Sequence, residues 1–242
     1  MRLSIVIPVY NEEGVIGSAL AATTAFASAR GLDCEVICVD DGSRDGSAAE
    51  IAAFAAKDPR AVLHRLPRNR GKGAAVREGV LRARGEHVFF LDADLSTPLE
   101  ELDRFLPRLE AGADLVLGNR KARESEILVR QPWLRERLGK VFTALCRALL
   151  APGIDDFTCG FKGFRAGAAR EVFRRSSLDG WAFDAELVVI ARALGLRIEQ
   201  LPVRWKNDPG SKVRIFSAIA GALRDLALLF ARRVRGSYRR ER

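Results

Sequence analysis

Short apolar runs alternate with longer stretches of alanine, polar and charged residues along the first 95 residues of the chain. The apolar runs are 3–9, 34–39, 61–66 and 88–91. Runs of this length favour buried strands, because helices in globular domains usually need about 10 residues or more. The stretches between them predict helices at 15–29, 45–57 and 74–84. Strands alternating with helices predict an α/β domain with a mostly parallel sheet flanked by helices.

The second half of the chain continues this pattern with more charge. It predicts a helix from 98 to about 110, a strand at 113–117, a charged loop at 121–131, an amphipathic helix at 133–150, a helix opening at 181–186, a strand at 197–205 and a final helix at 215–231. Asn11 and Asp184 are expected to cap the helices they precede. Since no linker is visible, we expect one domain at 1–214, followed by a C-terminal amphipathic helix and basic tail at 215–242.

Polar side chains follow three of the predicted strands at the point where each strand ends. They are Tyr10 with Glu12, Asp40 with Asp41, and Asp92 with Asp94. Ligands of open α/β sheets bind beyond the carboxyl ends of the strands. One acidic strand end is common, but three of them indicate a shared site.

The segment Asp92-Ala93-Asp94 directly follows the apolar run 88–91. Side chains alternate along a strand, so the two carboxylates are expected on the same side. Two like charges in that position repel each other unless a cation lies between them. Mg²⁺ prefers such oxygen ligands and commonly completes its shell with water and substrate phosphates. The alternative is a turn or helix cap without chemistry.

A glycine–lysine loop, Asn69-Arg-Gly-Lys-Gly73, precedes the third predicted helix. Ala74 stands where a Walker-type loop needs a metal-binding hydroxyl, so a P-loop ATPase is not indicated. A dinucleotide-binding G-x-G-x-x-G motif is also missing after the first strand. The glycines still allow close approach of the backbone, and Lys72 is suited to a phosphate.

The net charge of +9 is distributed unevenly over the 242 residues. Residues 232–242 carry six Arg against one Glu, a net of +5 (6 − 1). Such a tail suits nucleic acid or an anionic lipid surface, or is simply a solvated end. Nucleic acid is not expected, because Tyr238 is the one aromatic among these cations and the acidic strand ends repel phosphate in the absence of metal.

The cysteines and the hydropathy pattern favour a cytoplasmic protein at the inner face of a membrane. Cys34, Cys38, Cys146 and Cys159 form no C-x-x-C pair and are expected to be reduced thiols of the core rather than a metal site. The N-terminus enters a strand at once, which argues against a signal peptide. The longest helix-like apolar stretch, 215–231, is interrupted by Arg224 and Asp225, so we expect the protein to bind the membrane surface without crossing it. The helix at 133–150 has a basic face, which suits either packing on the sheet or a membrane interface.

Four motifs in the first 120 residues resemble those of family 2 glycosyltransferases with the GT-A fold. They are Pro8-Val-Tyr-Asn-Glu12, Val39-Asp-Asp-Gly-Ser43, Asn69-x-Gly-Lys-Gly73 and Asp92-Ala-Asp94. The second half resembles the polyprenyl- and dolichyl-phosphate sugar synthases, and is most like dolichyl-phosphate glucosyltransferases. The corresponding motifs are Cys159-Gly-Phe-Lys162, Phe183-Asp-x-Glu186, Pro202-Val-x-Trp205 and Gly210-Ser-Lys-Val213.

The resemblance implies a role for each residue at the strand ends. The donor-binding positions it implies are Pro8, Tyr10, Glu12 and Asp40 for the base and ribose, Asp41 and Lys72 near the sugar or phosphate, and Asp92 with Ala93 beside the ribose. Asp94 is implied as the main ligand of a Mg²⁺ or Mn²⁺ ion, with Asp92 as the second. Ser96 stands where mannose-transferring relatives often have Gln, which favours UDP-glucose over GDP-mannose as the donor.

The implied reaction transfers a sugar from a nucleotide sugar to a polyprenyl phosphate with inversion at the anomeric carbon. The acceptor phosphate is already anionic, so cations that hold it matter more than a base. Arg120, Lys212 and Arg214 are the candidate cations, with Asp156 beside them. A hydroxyl acceptor remains an alternative, and it requires a base such as Asp156 or Asp184. The candidate catalytic residues are Asp94 for the metal, Asp184 as the alternative base, and Arg120 and Lys212 for the acceptor phosphate. The reaction is expected beside an anionic membrane surface.

Overall fold

A seven-stranded sheet lies at the centre of the computed structural model, which describes residues 1–130, 132–180, 182–207 and 215–238, with the side chains of 134, 135, 215–220 and 222 not described. The strands are β1 (Leu3–Val9), β2 (Cys34–Asp40), β3 (Ala61–Arg65), β4 (His87–Phe90), β5 (Leu115–Asn119), β6 (Glu126–Val129), β7 (Lys162–Arg165), β8 (Ile198–Pro202) and β9 (Arg204–Lys206). Within the described part the large sheet has the order β3-β2-β1-β4-β7-β5-β8, and β6 pairs with β9 separately. Only β7 runs antiparallel to its neighbours in the large sheet.

Helices cover both faces of this sheet. They are α1 (Ile16–Ala29), α2 (Ser47–Ala55), α3 (Lys72–Arg82), α4 (Leu102–Glu110, after a short 3₁₀ turn), α5 (Trp133–Leu149), α6 (Ala166–Arg175), α7 (Phe183–Ala193) and α8 (Ile215–Val234). One apolar cluster joins the sheet to α1, α2 and α4, and the other joins it to α3, α5, α6, α7 and α8. The strands are apolar on both faces because both faces are covered.

The predicted α/β architecture with a mostly parallel sheet is confirmed. β1 is buried along its whole length apart from the half-buried Pro8. Its register sets Val9 opposite Asp40 and Val6 opposite Phe90. The carboxyl ends of β1, β2 and β4 therefore meet at one edge of the sheet.

The sheet differs from the prediction at its edges. The charged segment predicted as a loop contains β6, and the single strand predicted at 197–205 is divided into β8 and β9. β6 is largely exposed and owes its strand conformation to pairing with β9, 78 residues apart (204 − 126). A local sequence pattern cannot indicate pairing between strands so far apart in the chain.

Both predicted helix caps are wrong. α1 begins after Val15 with no side-chain cap, while Asn11 has a φ of 56° and accepts a hydrogen bond from the N–H of Arg44 at 2.9 Å. Asp184 lies inside the first turn of α7, and its carboxylate binds Lys162 instead. Each side chain binds a group from a distant part of the chain instead of capping its helix.

The C-terminal helix α8 packs against α5 and α7. Leu226, Leu229 and Tyr238 are buried in the same apolar cluster as the sheet. Among the described residues, no helix is long and apolar enough to cross a membrane. The four cysteines are buried and unpaired, as predicted.

Candidate active site

The ends of β1 and β2 border a cleft of about 560 Å³. Its lining includes Tyr10, Ser43, Arg65, Arg68 and Asn69. Asp40, the last residue of β2, is fully buried, and its Oδ1 accepts a hydrogen bond from the N–H of Ser43 at 2.9 Å. Its Oδ2 lies 3.0 Å from Nε of Arg65 in a geometry unsuited to a hydrogen bond, so this oxygen has no hydrogen-bond partner within the described structure. A buried carboxylate oxygen in this state is available to an N–H group of a ligand.

Asp41 holds the glycine–lysine loop (69–73) against the sheet. Its carboxylate accepts hydrogen bonds from the N–H groups of Arg70 at 2.7 Å and Gly71 at 2.8 Å. Burial raises the pKa of Asp41, although both hydrogen bonds favour the charged form. Gly71 has a φ of 106°, and a Cβ there would lie 2.4 Å from the carbonyl oxygen of Asp179. Glycine is therefore required at this position by both conformation and space.

Lys72, the first residue of α3, forms an ion pair with Asp92. Burial alone would raise the pKa of Asp92, but the positive charge and hydrogen bond of Lys72 hold it below its usual value. Burial likewise opposes the charge on Lys72, yet the carboxylates of Asp92 and Asp184 raise its pKa. The Asp92 carboxylate also lies against Gly160, where a Cβ would be 1.9 Å from Oδ2.

A turn, rather than a strand, arranges Asp92 and Asp94. β4 ends at Phe90, so the alternation assumed for these two carboxylates does not reach them. The N–H of Leu95, with a φ of 48°, donates to the carbonyl of Asp92 at 3.0 Å. Asp94 is exposed, and its Oδ1 accepts a hydrogen bond from the N–H of Ser96 at 2.8 Å.

The carboxylates of Asp92 and Asp94 fit a hard divalent cation only if other ligands complete its coordination shell. Across the residues that the structure describes, no group of three or more His, Cys, Asp or Glu side chains is placed to hold a metal ion. Asp92 and Asp94 offer carboxylate oxygens, which Mg²⁺ accepts together with water and substrate phosphates. The residues thus suit an ion that arrives with a diphosphate.

Lys162 and Asp184 form a second ion pair, which is buried. The ammonium of Lys162 donates to the Asp184 carboxylate and to the carbonyl of Cys159. Burial raises the pKa of Asp184, while the charges of Lys162 and Lys72 act to lower it. Asp184 is therefore near the Lys72–Asp92 pair, but it is only 3% exposed.

The two acceptor candidates Arg120 and Asp156 bind each other. Nε and Nη2 of Arg120 donate to the two carboxylate oxygens at 2.7 and 2.9 Å. Asp156 is fully buried, which would raise its pKa, but the charge and hydrogen bonds of Arg120 hold that pKa well below its usual range. A carboxylate stabilised in this way is a poor base. The indole of Trp205 lies 5.4 Å from the guanidinium of Arg120.

Most of the predicted site residues lie at the same edge of the sheet. Pro8 is in β1 opposite Val39, Tyr10 is 40% exposed just beyond β1, and the N–H of Glu12 donates to Ser47 at 2.8 Å. Ala93 is buried in the turn between the two carboxylates. Lys212 and Arg214 lie outside the described residues. Sequence reasoning assigned no role to Gly160 or Lys162, although both belong to the quoted motif Cys159-Gly-Phe-Lys162.

The fold and this edge define a class of protein. An α/β sheet with acidic strand ends, a lysine loop and a nucleoside-sized cleft beyond its carboxyl edge is the arrangement of a GT-A glycosyltransferase. The model of the family described as Glycosyl transferase family 2 matches residues 4–173. The chain belongs to this family and is a glycosyltransferase.

Curated relatives match nearly the whole chain. A protein of Mus musculus named dolichyl-phosphate beta-glucosyltransferase is 34% identical over 251 residues, which are 98% of this chain and 78% of the relative. The dolichyl-phosphate beta-glucosyltransferase ALG5C of Trichomonas vaginalis is 34% identical over 228 residues, 90% of this chain and 68% of the relative.

Solved structures agree on the fold. Mannosyl-3-phosphoglycerate synthase from Rubrobacter xylanophilus has a TM-score of 0.72 at 23% identity, covering 100% of this chain and 76% of its own. Glucosyl-3-phosphoglycerate synthase from Mycobacterium tuberculosis, in complex with Mn²⁺, UDP and glucosyl-3-phosphoglycerate, has a TM-score of 0.68 at 19% identity, covering 96% and 79%. At these identities the likeness concerns the fold.

Proposed function

We propose that this glycosyltransferase transfers glucose from UDP-glucose to a polyprenyl phosphate of the dolichyl type, at a membrane surface. The observation that carries the proposal is the Lys72–Asp92 pair beside Asp94, at the end of β4, in a chain similar over 90–99% of its length to curated dolichyl-phosphate beta-glucosyltransferases. The carboxylates provide negative charge for a metal ion, and Lys72 provides positive charge for the diphosphate.

The donor base belongs in the cleft beyond β1 and β2. Uracil offers an N–H between two carbonyl groups, and Oδ2 of Asp40, which is ion-paired with Arg65 but accepts no hydrogen bond in the described structure, is an acceptor for that N–H. Tyr10, which lines the cleft and is 40% exposed, offers a ring on which a base stacks. Asp40 could equally accept the N–H of guanine, so this contact does not distinguish UDP from GDP. We prefer UDP because of Ser96 and because the curated relatives are glucosyltransferases.

A bound Mg²⁺ or Mn²⁺ held by Asp94 and Asp92 supplies positive charge where the diphosphate gathers negative charge as it leaves. The chain's own contribution is Lys72, which Asp41 and the glycines of its loop hold in place. Lys72 already lies against a carboxylate, so an arriving phosphate oxygen exchanges one anionic partner for another. Solved neighbours of the same fold contain Mn²⁺ and UDP, which supports a divalent ion.

The acceptor phosphate needs positioning rather than deprotonation. Of the three candidate cations, Arg120 is the one that lies within the described residues, just after β5, and its bidentate bond to Asp156 fixes the plane of its guanidinium. Lys212 and Arg214 are proposed to join it. The hydroxyl-acceptor alternative is less favoured, because both of its candidate bases, Asp156 and Asp184, are buried and paired with cations.

An exposed apolar surface on α5 and α8 is proposed to lie on the membrane. Trp133 and Val141 on α5 are 67% and 58% exposed, and Leu223 and Val234 on α8 are 51% and 69% exposed. Helices α5 and α8 contact each other, so these side chains belong to neighbouring elements. The guanidinium of Arg137 lies 5.3 Å from the Trp133 ring, and apolar groups flanked by cations are typical of interfacial helices.

Lipid extraction tests the proposal directly. The purified protein is given radiolabelled UDP-glucose or GDP-mannose, polyprenyl phosphate in liposomes and Mg²⁺ or Mn²⁺. We expect label from UDP-glucose in the organic phase, in a product that releases its sugar on mild acid treatment. Label from GDP-mannose alone would overturn the donor assignment, and label confined to a water-soluble glycan would overturn the acceptor.

A further inference from the structure

Glu186, on α7, is a fully buried carboxylate that the proposed reaction does not use. It accepts hydrogen bonds from two separate parts of the chain, the segment before α7 and the C-terminal end of α8 with the residues that follow it. The donors are Ser177 N–H at 2.8 Å, Ser177 Oγ at 3.0 Å, Leu178 N–H at 2.8 Å, Tyr238 OH at 2.7 Å and Arg232 Nη1 at 3.1 Å. We refer to Glu186, Ser177, Arg232 and Tyr238 as the Glu186 cluster.

The C-terminal side of the Glu186 cluster is firmly seated. Tyr238 is only 5% exposed, and burial together with Glu186 raises the pKa of its hydroxyl, which therefore stays protonated and donates. Arg232 also donates to Ser177 and to the Tyr238 oxygen. The guanidinium of Arg232 thus faces the protein. Arg233, its neighbour, donates instead to the carbonyl of Leu149 on α5.

The other side of the Glu186 cluster leads to the glycine–lysine loop. Ser177 and Leu178 are followed by Asp179, whose carbonyl accepts a hydrogen bond from the N–H of Gly73 at 2.8 Å. The Asp179 carboxylate forms an ion pair with Arg77 of α3. A Cβ on Gly73 would be 2.5 Å from the Leu178 carbonyl, so the two segments are in direct contact. Lys72 lies between Gly71 and Gly73, which both contact this segment.

We propose that the Glu186 cluster positions Lys72, so that the docked C-terminal segment strengthens binding of the nucleotide-sugar donor. Glu186 orients 177–179, this segment holds the backbone on either side of Lys72, and Lys72 presents its charge at the diphosphate. The inference rests on the proposed function, since it assumes that Lys72 meets the donor. It assigns Arg232 and Tyr238 to the donor side of the reaction, although both lie in the basic tail expected to serve the membrane.

Arg232 and Arg233 form a matched pair for the test. Replacing either with alanine removes one charge from the same turn, so any effect of lost membrane attraction is shared. Only Arg232→Ala removes a contact of the Glu186 cluster. Tyr238→Phe is the mildest second variant, because it deletes one oxygen and keeps the buried ring.

The assay measures KM for UDP-glucose and for a short-chain, water-soluble polyprenyl phosphate, together with calorimetric binding of UDP in the presence of Mg²⁺. Arg232→Ala and Tyr238→Phe are expected to raise the donor KM and the Kd for UDP about fivefold, the factor that one net hydrogen bond provides. The acceptor KM is expected to stay constant. Arg233→Ala is expected to keep the wild-type donor KM.

The outcomes separate the inference from the function on which it rests. Wild-type protein that does not bind UDP refutes the donor assignment itself. UDP binding that is unchanged in Arg232→Ala and Tyr238→Phe overturns the positioning role, as does an equal rise of donor KM in Arg233→Ala. A lower Tm with unchanged KM values would show that the cluster merely stabilises the fold, and this also refutes the proposal.

Discussion

Gly160 gives the sharpest test of the site, because a side chain at this position would collide with the Asp92 carboxylate. A Cβ at this position would be 1.9 Å from Oδ2, 2.5 Å from Cγ and 2.7 Å from Oδ1 of Asp92. Real Cβ atoms essentially never come closer than 3.0 Å to another heavy atom. In Gly160→Ala the carboxylate must therefore retreat by roughly 1 Å, and it leaves its place beside Lys72.

The magnitude follows from what that displacement breaks. Gly160 is not among the glycines with positive φ, so alanine is compatible with its backbone. The moved group is the end of a side chain, and we expect Tm to fall by only a few degrees. A displacement of about 1 Å at a reacting centre costs on the order of 10²-fold in rate. We expect kcat/KM for UDP-glucose to fall by about that factor, roughly 3 kcal/mol.

The assay is steady-state transfer from UDP-glucose with thermal unfolding of the same samples. Gly167→Ala in α6 is the matched control, because nothing lies within 4 Å of its Cβ position. It should keep wild-type activity. If Gly160→Ala transfers glucose at the wild-type rate, then the position of Asp92 beside Lys72 does not matter for the reaction.

The other predictions concern the metal, the base, the buried ion pair and the tail. Asp94→Asn should remove most turnover while leaving Tm nearly unchanged, and EDTA should do the same to the wild type; full activity in EDTA contradicts the metal role. Calorimetry should show tighter binding of UDP than of GDP, and the reverse order excludes the glucosyl donor. Asp156→Asn should lower the free energy of unfolding by about 3 kcal/mol at pH 7, since Arg120 loses its buried partner. Because the pKa of Asp156 is depressed in the folded state, this contribution is complete above the unfolded pKa of about 4 and declines as the pH falls toward the folded pKa, so denaturant titrations should give a smaller difference at pH 3 than at pH 7; a constant difference would be inconsistent. Deleting 239–242 removes three Arg but spares Tyr238, and it should weaken binding to anionic liposomes at moderate salt without changing the donor KM; unaltered liposome binding means that these residues are only a solvated end.

The parts of the fold that could be predicted are those with a local signal. β1, β2 and β4 are short apolar runs followed by acidic residues, and their shared edge follows from the rule for parallel sheets. β6 could not be predicted, because its residues are mostly exposed and pair with β9 far along the chain. The caps failed for a related reason: Asn11 found its partner at Arg44, 33 positions away.

The same distinction holds within the site. The residue types were visible in the motifs, whereas the pairs they form were not. Arg120 and Asp156 were both predicted at the acceptor, but no pattern indicated that they bind each other across 36 positions. Glu186 was noted only as part of a motif, since its partner Tyr238 is 52 positions away and nothing in either neighbourhood indicates the contact.

These pairings explain how a site with so many carboxylates accepts an anionic donor. Lys72 with Asp92, Lys162 with Asp184 and Arg120 with Asp156 are three ion pairs whose charges sum to zero. Of the carboxylates at the strand ends, Asp92 is paired with Lys72, and Oδ2 of Asp40 lies 3.0 Å from Nε of Arg65, so part of their repulsion is cancelled before any ligand arrives. In the function proposed above, a divalent ion held by Asp92 and Asp94 would add positive charge at the same turn. Lys72 would then meet the diphosphate, while Lys162 and Arg120 stay with their own buried carboxylates.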